Sequence, residues 1–317
     1  MIKFNLNGQE KSYDGDPKRS LLSYLRGTAG IVSVKNGCSG EASCGACLLE
    51  VNAKPALSCV TPMQKLDGAR IVTIEGFPKS LRQTLGRAFV AKGAVQCGFC
   101  TPGFLSRAKI LLENNPQPSR QEIIKALRFN LCRCTGYIKI IDAIALAAEH
   151  IRKDQELKLS ASGKVGSSQP KYDAYDKAVG RSAFIDDMRI DGMLHGVLKF
   201  SDHPRAQIRK IDVAAAENMP GVVRVFTADD IPGERIIGVI HQDWSVMIAA
   251  GETTRYIGDV LAGVVAENEA IARRAAGAIE VEYQVKQPCT DMHAAESSPS
   301  KIHESGNLLS VSRIQRG

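Results

Sequence analysis

At 317 residues the chain is longer than one typical domain, and 44% hydrophobic residues are enough to bury two or three modest cores. Its formal charge of +7 is carried by lysines and arginines interleaved with acids, not by a basic block, so nucleic acid is not an expected partner. There is no basic, apolar and small-residue leader, and no apolar run near the roughly 20 residues that span a bilayer, so the sequence predicts a cytoplasmic protein away from membranes.

From the N-terminus, Ile2 to Leu6 alternates apolar and polar side chains, and Asn7-Gly8 leads into a second extended stretch through Tyr13, which predicts a β-hairpin. Leu21, Leu22 and Leu25 predict a short helix, and Leu48 to Val51 and Ile71 to Ile74 predict strands. The period becomes helical from Ser80, with Leu81, Leu85 and Phe89 on one face, then Phe104, Ala108 and Leu111 or Leu112 on the next. Ser119 and Glu122 have the spacing of a capping box ahead of Ile123, Ile124, Leu127 and Leu131. A last helix of this group is predicted from Lys139 to Lys153. Gln155 to Lys171 is rich in Ser and Gly and poor in large apolar residues, which reads as a linker. Beyond it, Leu194 to Phe200, Val222 to Phe226, Val260 to Val265 and Ile279 to Val285 predict strands. With a helix over Glu269 to Ala278, they make a mixed α/β domain.

Nine cysteines, eight of them in tight clusters, point in a reducing cytosol to metal or redox chemistry before disulfides. The first set is Cys38, Cys44, Cys47 and Cys59. It is close to the plant-type ferredoxin spacing, with five residues in place of four between the first two. Gly37, Gly40 and Gly45 suit a loop that wraps a cluster, because glycine accepts positive φ and close approach. The second set joins Cys97 and Cys100 to Cys132 and Cys134, each pair at a predicted helix end, and a helix N-terminus stabilises thiolate charge. Four thiolates also suit tetrahedral zinc. Cys-x-Cys is uncommon among zinc sites, yet spacing alone leaves zinc open.

In combination, Cys44-Gly45-Ala46-Cys47, Gln96-Cys97-Gly98-Phe99-Cys100-Thr101-Pro102-Gly103 and Asn130-Leu131-Cys132-Arg133-Cys134-Thr135-Gly136-Tyr137 resemble the xanthine dehydrogenase and aldehyde oxidoreductase family of molybdenum hydroxylases. Past the linker, Val179-Gly180-Arg181-Ser182-Ala183-Phe184-Ile185-Asp186-Asp187, Pro220-Gly221-Val222-Val223 and Arg255-Tyr256-Ile257-Gly258-Asp259 look like the family's hammerhead domain. The resemblance implies an α+β chain. A β-grasp, ferredoxin-like [2Fe-2S] domain is expected over 1–78, a four-helix [2Fe-2S]-binding domain over 79–155 and the linker over 156–171. An α/β hammerhead domain is expected over 172–300, and 301–317 would lead toward molybdopterin-binding domains.

The resemblance also implies an outer cluster on Cys38, Cys44, Cys47 and Cys59. An inner one, on Cys97, Cys100, Cys132 and Cys134, would lie beside molybdopterin, with Gln96 contacting the pterin. Iron-sulfur domains followed directly by a hammerhead, with no flavin domain between, are similar to bacterial aldehyde oxidoreductases and above all to selenium-dependent xanthine dehydrogenases. Because the sequence stops at Gly317, catalysis is expected on a molybdopterin-binding partner chain. The implied role is an electron-transfer subunit serving hydroxylation of xanthine or another purine, with aldehydes and nicotinate as alternatives. Electrons would leave to an FAD subunit or a ferredoxin-like acceptor.

Other residues have plainer readings. Cys289 lies outside both sets and reads as an inert thiol. The six histidines show no metal-binding spacing. Asp186 and Asp187, adjacent on an extended chain, point opposite ways and read as turn chemistry. Neither a Walker loop nor a G-x-G-x-x-G after a strand is present, so nucleotide cofactors are expected elsewhere. The rival functions are a zinc-stabilised scaffold and a free-standing ferredoxin-like carrier; the hammerhead-like segment argues against the carrier.

Overall fold

The computed structural model describes residues 1–159, 162–240, 242–303 and 305–317, and the chain divides into two compact units, Met1–Met188 and Arg189–Gly317. The first unit opens with strands β1 (Ile2–Leu6) and β2 (Gln9–Tyr13), paired antiparallel around Asn7 and Gly8, which both take positive φ. Helix α1 (Leu21–Gly27) starts at Ser20, whose hydroxyl accepts from the Ser23 N–H. Strands β3 (Leu48–Val51), β4 (Lys54–Leu57) and β5 (Arg70–Val72) complete a five-stranded sheet in the order β2-β1-β5-β3-β4, with β1 and β5 parallel. Phe4, Leu6, Leu21, Leu25, Leu49 and Ile71 form the core between sheet and helix, a β-grasp arrangement. Strand β5 ends two residues earlier than the apolar run predicts. The Asn7 side chain accepts from the Thr73 N–H at 2.9 Å, and the chain turns there into a short 3-10 segment.

Helices α2 (Lys79–Ala91), α3 (Thr101–Asn114), α4 (Arg120–Ala126) and α5 (Ile138–Arg152) follow. Leu85 and Phe89 of α2, Phe104 and Ala108 of α3, Ile123 of α4 and Ile144 of α5 close a single core, so each helix buries one apolar stripe. The capping box forms: the Glu122 N–H donates to Ser119 Oγ at 3.3 Å, and the Ser119 N–H donates to the Glu122 carboxylate at 2.7 Å. Leu131, counted with this helix by its period, lies beyond its end and is 57% exposed. The linker starts tied down, with Leu157 in the helical core and Arg87 paired to Glu156 at 2.5 Å. Its residues Ser160 and Ala161 lie outside the described residues.

Residues 172–188, read from sequence as the start of the third domain, pack in this first unit. Helix α6 (Ala174–Ala178) buries Ala174 and Ala178 in the helical core, where Tyr175 and Val179 crowd Gly86 so closely that a Cβ there would lie 2.8 Å and 3.1 Å from them. The segment ends in one 3-10 turn, Ile185–Asp187, so Asp186-Asp187 is turn chemistry as read, with the Asp187 carboxylate accepting from the Phe184 N–H at 3.0 Å, but on a 3-10 turn in place of an extended chain. The Asp187 side chain is 1% exposed and ion-paired to the equally buried Lys35, and Arg26 reaches it at 2.8 Å. Successive side chains on a 3-10 turn diverge by about 120°, so Asp187 turns inward while Asp186 stays at the surface.

The second unit contains β6 (His195–Phe200), β7 (Ala206–Asp212), α7 (Ala214–Glu217), β8 (Val222–Phe226), β9 (Ile236–Ile237), β10 (Trp244–Ser245), β11 (Val260–Ala266), α8 (Glu269–Gly277), β12 (Glu280–Val285) and α9 (Met292–Ala295). Strands β6, β11 and β8 form an antiparallel sheet, β12 pairs with β7, and β9 pairs with β10. Ala275 and Ala276 of α8 pack with Val225 of β8 and Val264 of β11. Strand β7 was not legible in the sequence because Arg209 and Lys210 interrupt the alternation begun by buried Ala206 and Ile208. Among the described residues no helix is long and apolar enough to cross a membrane.

Candidate metal centres

The first thiol set surrounds the loop between α1 and β3, with Cys59 supplied by a 3-10 turn after β4. The loop absorbs five residues between Cys38 and Cys44 by left-handed turns at Ser39, Gly40 and Ala42 (φ 50°, 96° and 59°). Cys38 contacts Cys44, Cys47 contacts Cys59, and electrostatic coupling joins the two pairs. The Ala46 N–H donates to Cys44 Sγ at 3.5 Å, while the Ser58 hydroxyl donates to the Cys47 carbonyl at 2.9 Å and fixes the Cys59 turn beside it. Burial raises the Cys38 thiol, but backbone and hydroxyl donors of Cys44 and Ser43 outweigh it and bring its pKa down to about 6. Burial and the neighbouring Cys47 push Cys59 up to about 12.

The second set stands at two helix N-termini. Cys100 directly precedes α3, and Cys132 and Cys134 lie in the turn before α5, whose N-cap Tyr137 has φ 70°. Cys97 and Cys134 approach to 3.6 Å between sulfurs, and Cys100 contacts Cys132. The Thr135 hydroxyl donates to Cys132 Sγ at 3.1 Å, and the Cys132 N–H donates to the Tyr137 hydroxyl at 3.0 Å. Burial pushes Cys132 upward, yet the Thr135 and Cys134 donors hold it below its ordinary value, whereas burial raises Cys100. Cys97 and Cys134 are exposed, so this set opens to the surface of the described chain.

All eight sequence-predicted cysteines thus come together in the two expected sets, as four close pairs. Among the described residues no three His, Cys, Asp or Glu side chains converge on a point for one ion. Two irons bridged by sulfide take four thiolates between them, and the helix dipoles, backbone N–H groups and hydroxyls supply positive potential for that charge. The donor set fits. Cys289 is a free thiol outside both sets. Gln96 is exposed beside Cys97, and its backbone carbonyl accepts from Lys171 Nζ at 3.1 Å.

The two thiol loops touch. The Leu131 N–H donates to the Cys44 carbonyl at 2.9 Å, and Asn130 Nδ2 donates to the Gly45 carbonyl at 3.2 Å. Gly45 has φ 66°, and a Cβ on it would sit 2.1 Å from the Phe129 carbonyl oxygen. A Cβ on Gly103 would sit 2.7 Å from the Gly45 carbonyl oxygen. Glycine at these positions therefore serves contact between the loops as well as their curvature, a role the spacing did not reveal. Also missed were Lys35, Arg26 and Phe184, with Lys35 Nζ 4.7 Å from the Phe184 ring and Phe184 packed edge-on against Phe99 between Cys97 and Cys100. No local pattern marks Arg26 or Lys35, and Phe184 stood out only as part of the hammerhead-like stretch.

Three family models match: a 2Fe-2S iron-sulfur cluster binding domain over residues 4–65, a [2Fe-2S] binding domain over 73–145, and the aldehyde oxidase and xanthine dehydrogenase a/b hammerhead domain over 179–287. An aldehyde oxidoreductase of Megalodesulfovibrio gigas is 37% identical over 300 residues, covering 88% of this chain and 33% of the relative. The nicotinate dehydrogenase small FeS subunit of Eubacterium barkeri is 45% identical over 149 residues, covering 47% of this chain and 94% of the subunit. The solved structure of the aldehyde oxidoreductase from Desulfovibrio gigas matches with a TM-score of 0.85 and 33% identity, over 97% of this chain and 36% of that one. This chain therefore spans about a third of the aldehyde oxidoreductase's length. With both [2Fe-2S] domains and the hammerhead matched, the chain belongs to the xanthine dehydrogenase and aldehyde oxidoreductase family of molybdenum hydroxylases, whose molybdopterin and FAD are carried on other parts or subunits.

Proposed function

We propose that this chain conducts electrons between a molybdopterin centre and an acceptor, with Cys38, Cys44, Cys47 and Cys59 holding one [2Fe-2S] cluster and Cys97, Cys100, Cys132 and Cys134 the other. The observation that carries the reading is the bond from the Leu131 N–H to the Cys44 carbonyl, which joins the backbones of two thiol-bearing residues through one hydrogen bond and one peptide unit. When bound, the clusters supply one-electron carriage. The chain's own groups tune and position them. Donors to sulfur, here Ala46 N–H and the Thr135 hydroxyl, favour the more negative, reduced state. Gly45 and Gly103 permit the close approach of the loops. The Gln96 side-chain amide has no hydrogen-bond partner among the described residues, which suits a contact with the pterin.

The molybdopterin-binding catalytic part is assigned to a partner subunit, in line with the name of the small FeS relative, and the acceptor to an FAD subunit or a ferredoxin-like protein. An aldehyde substrate is taken ahead of the purine suggested by sequence, because the aldehyde oxidoreductase relative matches through the hammerhead portion as well as the iron-sulfur domains. A cytoplasmic setting suits free thiol ligands.

Metal analysis and EPR of the anaerobically purified chain test the reading. About four irons per chain and two distinct signals after dithionite reduction are expected. A colourless protein with about two zinc ions would instead establish the scaffold reading.

A further inference from the structure

A cavity of about 590 Å³ opens between the β3–β4 hairpin and helices α3 and α4, and none of the eight clustered cysteines lines it. Leu48, Leu57, Leu111 and Phe129 make its walls apolar, and its charged groups are Arg107, Lys125, Arg128 and Glu122. Glu122 is already engaged, accepting from the Ser119 N–H at 2.7 Å and from Asn115 Nδ2 at 3.1 Å. Arg128 lies over the Phe129 ring, 4.5 Å from its centre. Arg107 is different. It is half-buried on α3, its Nε is buried without a partner, and it forms no ion pair with any described residue. Burial and the like charge of Arg128 together hold its pKa below the ordinary value.

A guanidinium stays protonated at any working pH. Keeping one half out of water, beside a second cation and without a counter-charge, costs stability. An anion in the pocket would remove that cost. Apolar walls around a planar two-pronged donor match a carboxylate on an apolar body better than a bare inorganic anion, since only the former fills the walls while its oxygens meet the guanidinium.

We propose that this pocket binds a carboxylate carried on an apolar or aromatic body, with Arg107 as its bidentate partner and Arg128 as the second cation. The occupant is a free small acid, whose apolar body fills the walls while its carboxylate meets the guanidinium. The pocket does not depend on the electron-transfer reading.

Calorimetric titration of the full, cluster-loaded chain with benzoate tests it, with visible absorption reporting the clusters throughout. Saturable one-site binding is expected, about tenfold weaker in Arg107→Met and partly restored in Arg107→Lys. Without benzoate, Arg107→Met should unfold at the same or a higher temperature than the parent chain, since it removes an uncompensated cation, and this keeps the test independent of misfolding. Absent or unsaturable binding, or equal binding by Arg107→Met, overturns the proposal. The same titration on the native complex is expected to keep the binding, and its loss there would show the pocket covered by the partner and overturn the free-acid reading.

Discussion

Lys35 and Asp187 each have 1% of the side chain exposed, so either charge alone would be buried unpaired. Removing one member of such a pair costs about 3–5 kcal/mol, whereas replacing both with apolar groups is often close to neutral. Asp187→Leu is therefore expected to lose about that much stability in urea denaturation, and Lys35→Met combined with Asp187→Leu to recover most of it. A single variant as stable as the parent would contradict the argument. Burial works to raise the Asp187 carboxyl, but Lys35, the Phe184 N–H and Arg26 outweigh it and hold it below its usual 3.8. Its folded value lies below its unfolded one, so its stabilisation is complete at neutral pH and is lost as pH falls through the folded value. Gly45 gives a second residue-level expectation. Gly45→Ala adds about 1–2 kcal/mol of left-handed strain, and its Cβ must push the Phe129 carbonyl away. The outcome expected is weakened magnetic coupling between the reduced clusters in EPR, with iron content largely kept. The cysteines were legible because their chemistry is written in their type and spacing, whereas the pterin contact of Gln96 comes only from the family resemblance. The pairing of Lys35 with Asp187 was not, because 152 positions separate them: Asp187 stood out only as half of an acidic pair, and nothing near Lys35 points to it.

Elements were legible where their stability is local. Helices α2 to α5 each carry an apolar stripe, and α4 also carries its own start signal in Ser119 and Glu122. Losing the reciprocal cap in Ser119→Ala is expected to cost about 1 kcal/mol, measured by chemical denaturation. A change below about 0.3 kcal/mol would mean that the tertiary contacts of Ile123 alone hold the helix. Strand β4 was missed because Lys54-Pro55-Ala56-Leu57 has little strand propensity; its pairing with β3 makes it a strand. A buried ion pair then ties that sheet to the helices, since Lys109 of α3 meets Glu50 of β3 at 2.5 Å. The two cysteine domains named separately by the sequence are thus joined through an element pair that periodicity cannot show.

At the scale of the whole molecule, the sequence reading starts the hammerhead portion at residue 172 and its family model matches from 179, while by packing the residues up to Met188 belong to the first compact unit. The Ser- and Gly-rich stretch marks where the chain lacks apolar side chains, but a unit ends where its contacts end. Between those positions the chain contributes Ala174, Ala178 and Val179 to the helical core, crowds Gly86, and returns Asp187 to Lys35. Two truncations separate the alternatives. A fragment of residues 1–188 is expected to be monomeric, to unfold cooperatively and to bind about four irons. A fragment of residues 1–171 leaves Lys35 buried without its carboxylate and uncovers the groove beside Gly86, so it should be destabilised by at least the roughly 3–5 kcal/mol of the broken pair. Its Lys35→Met variant should regain part of that loss, because the unpaired charge is removed while the groove stays open. Equal stability and iron content in the two fragments would show that residues 172–188 merely pass over the surface, and would return the boundary to the linker.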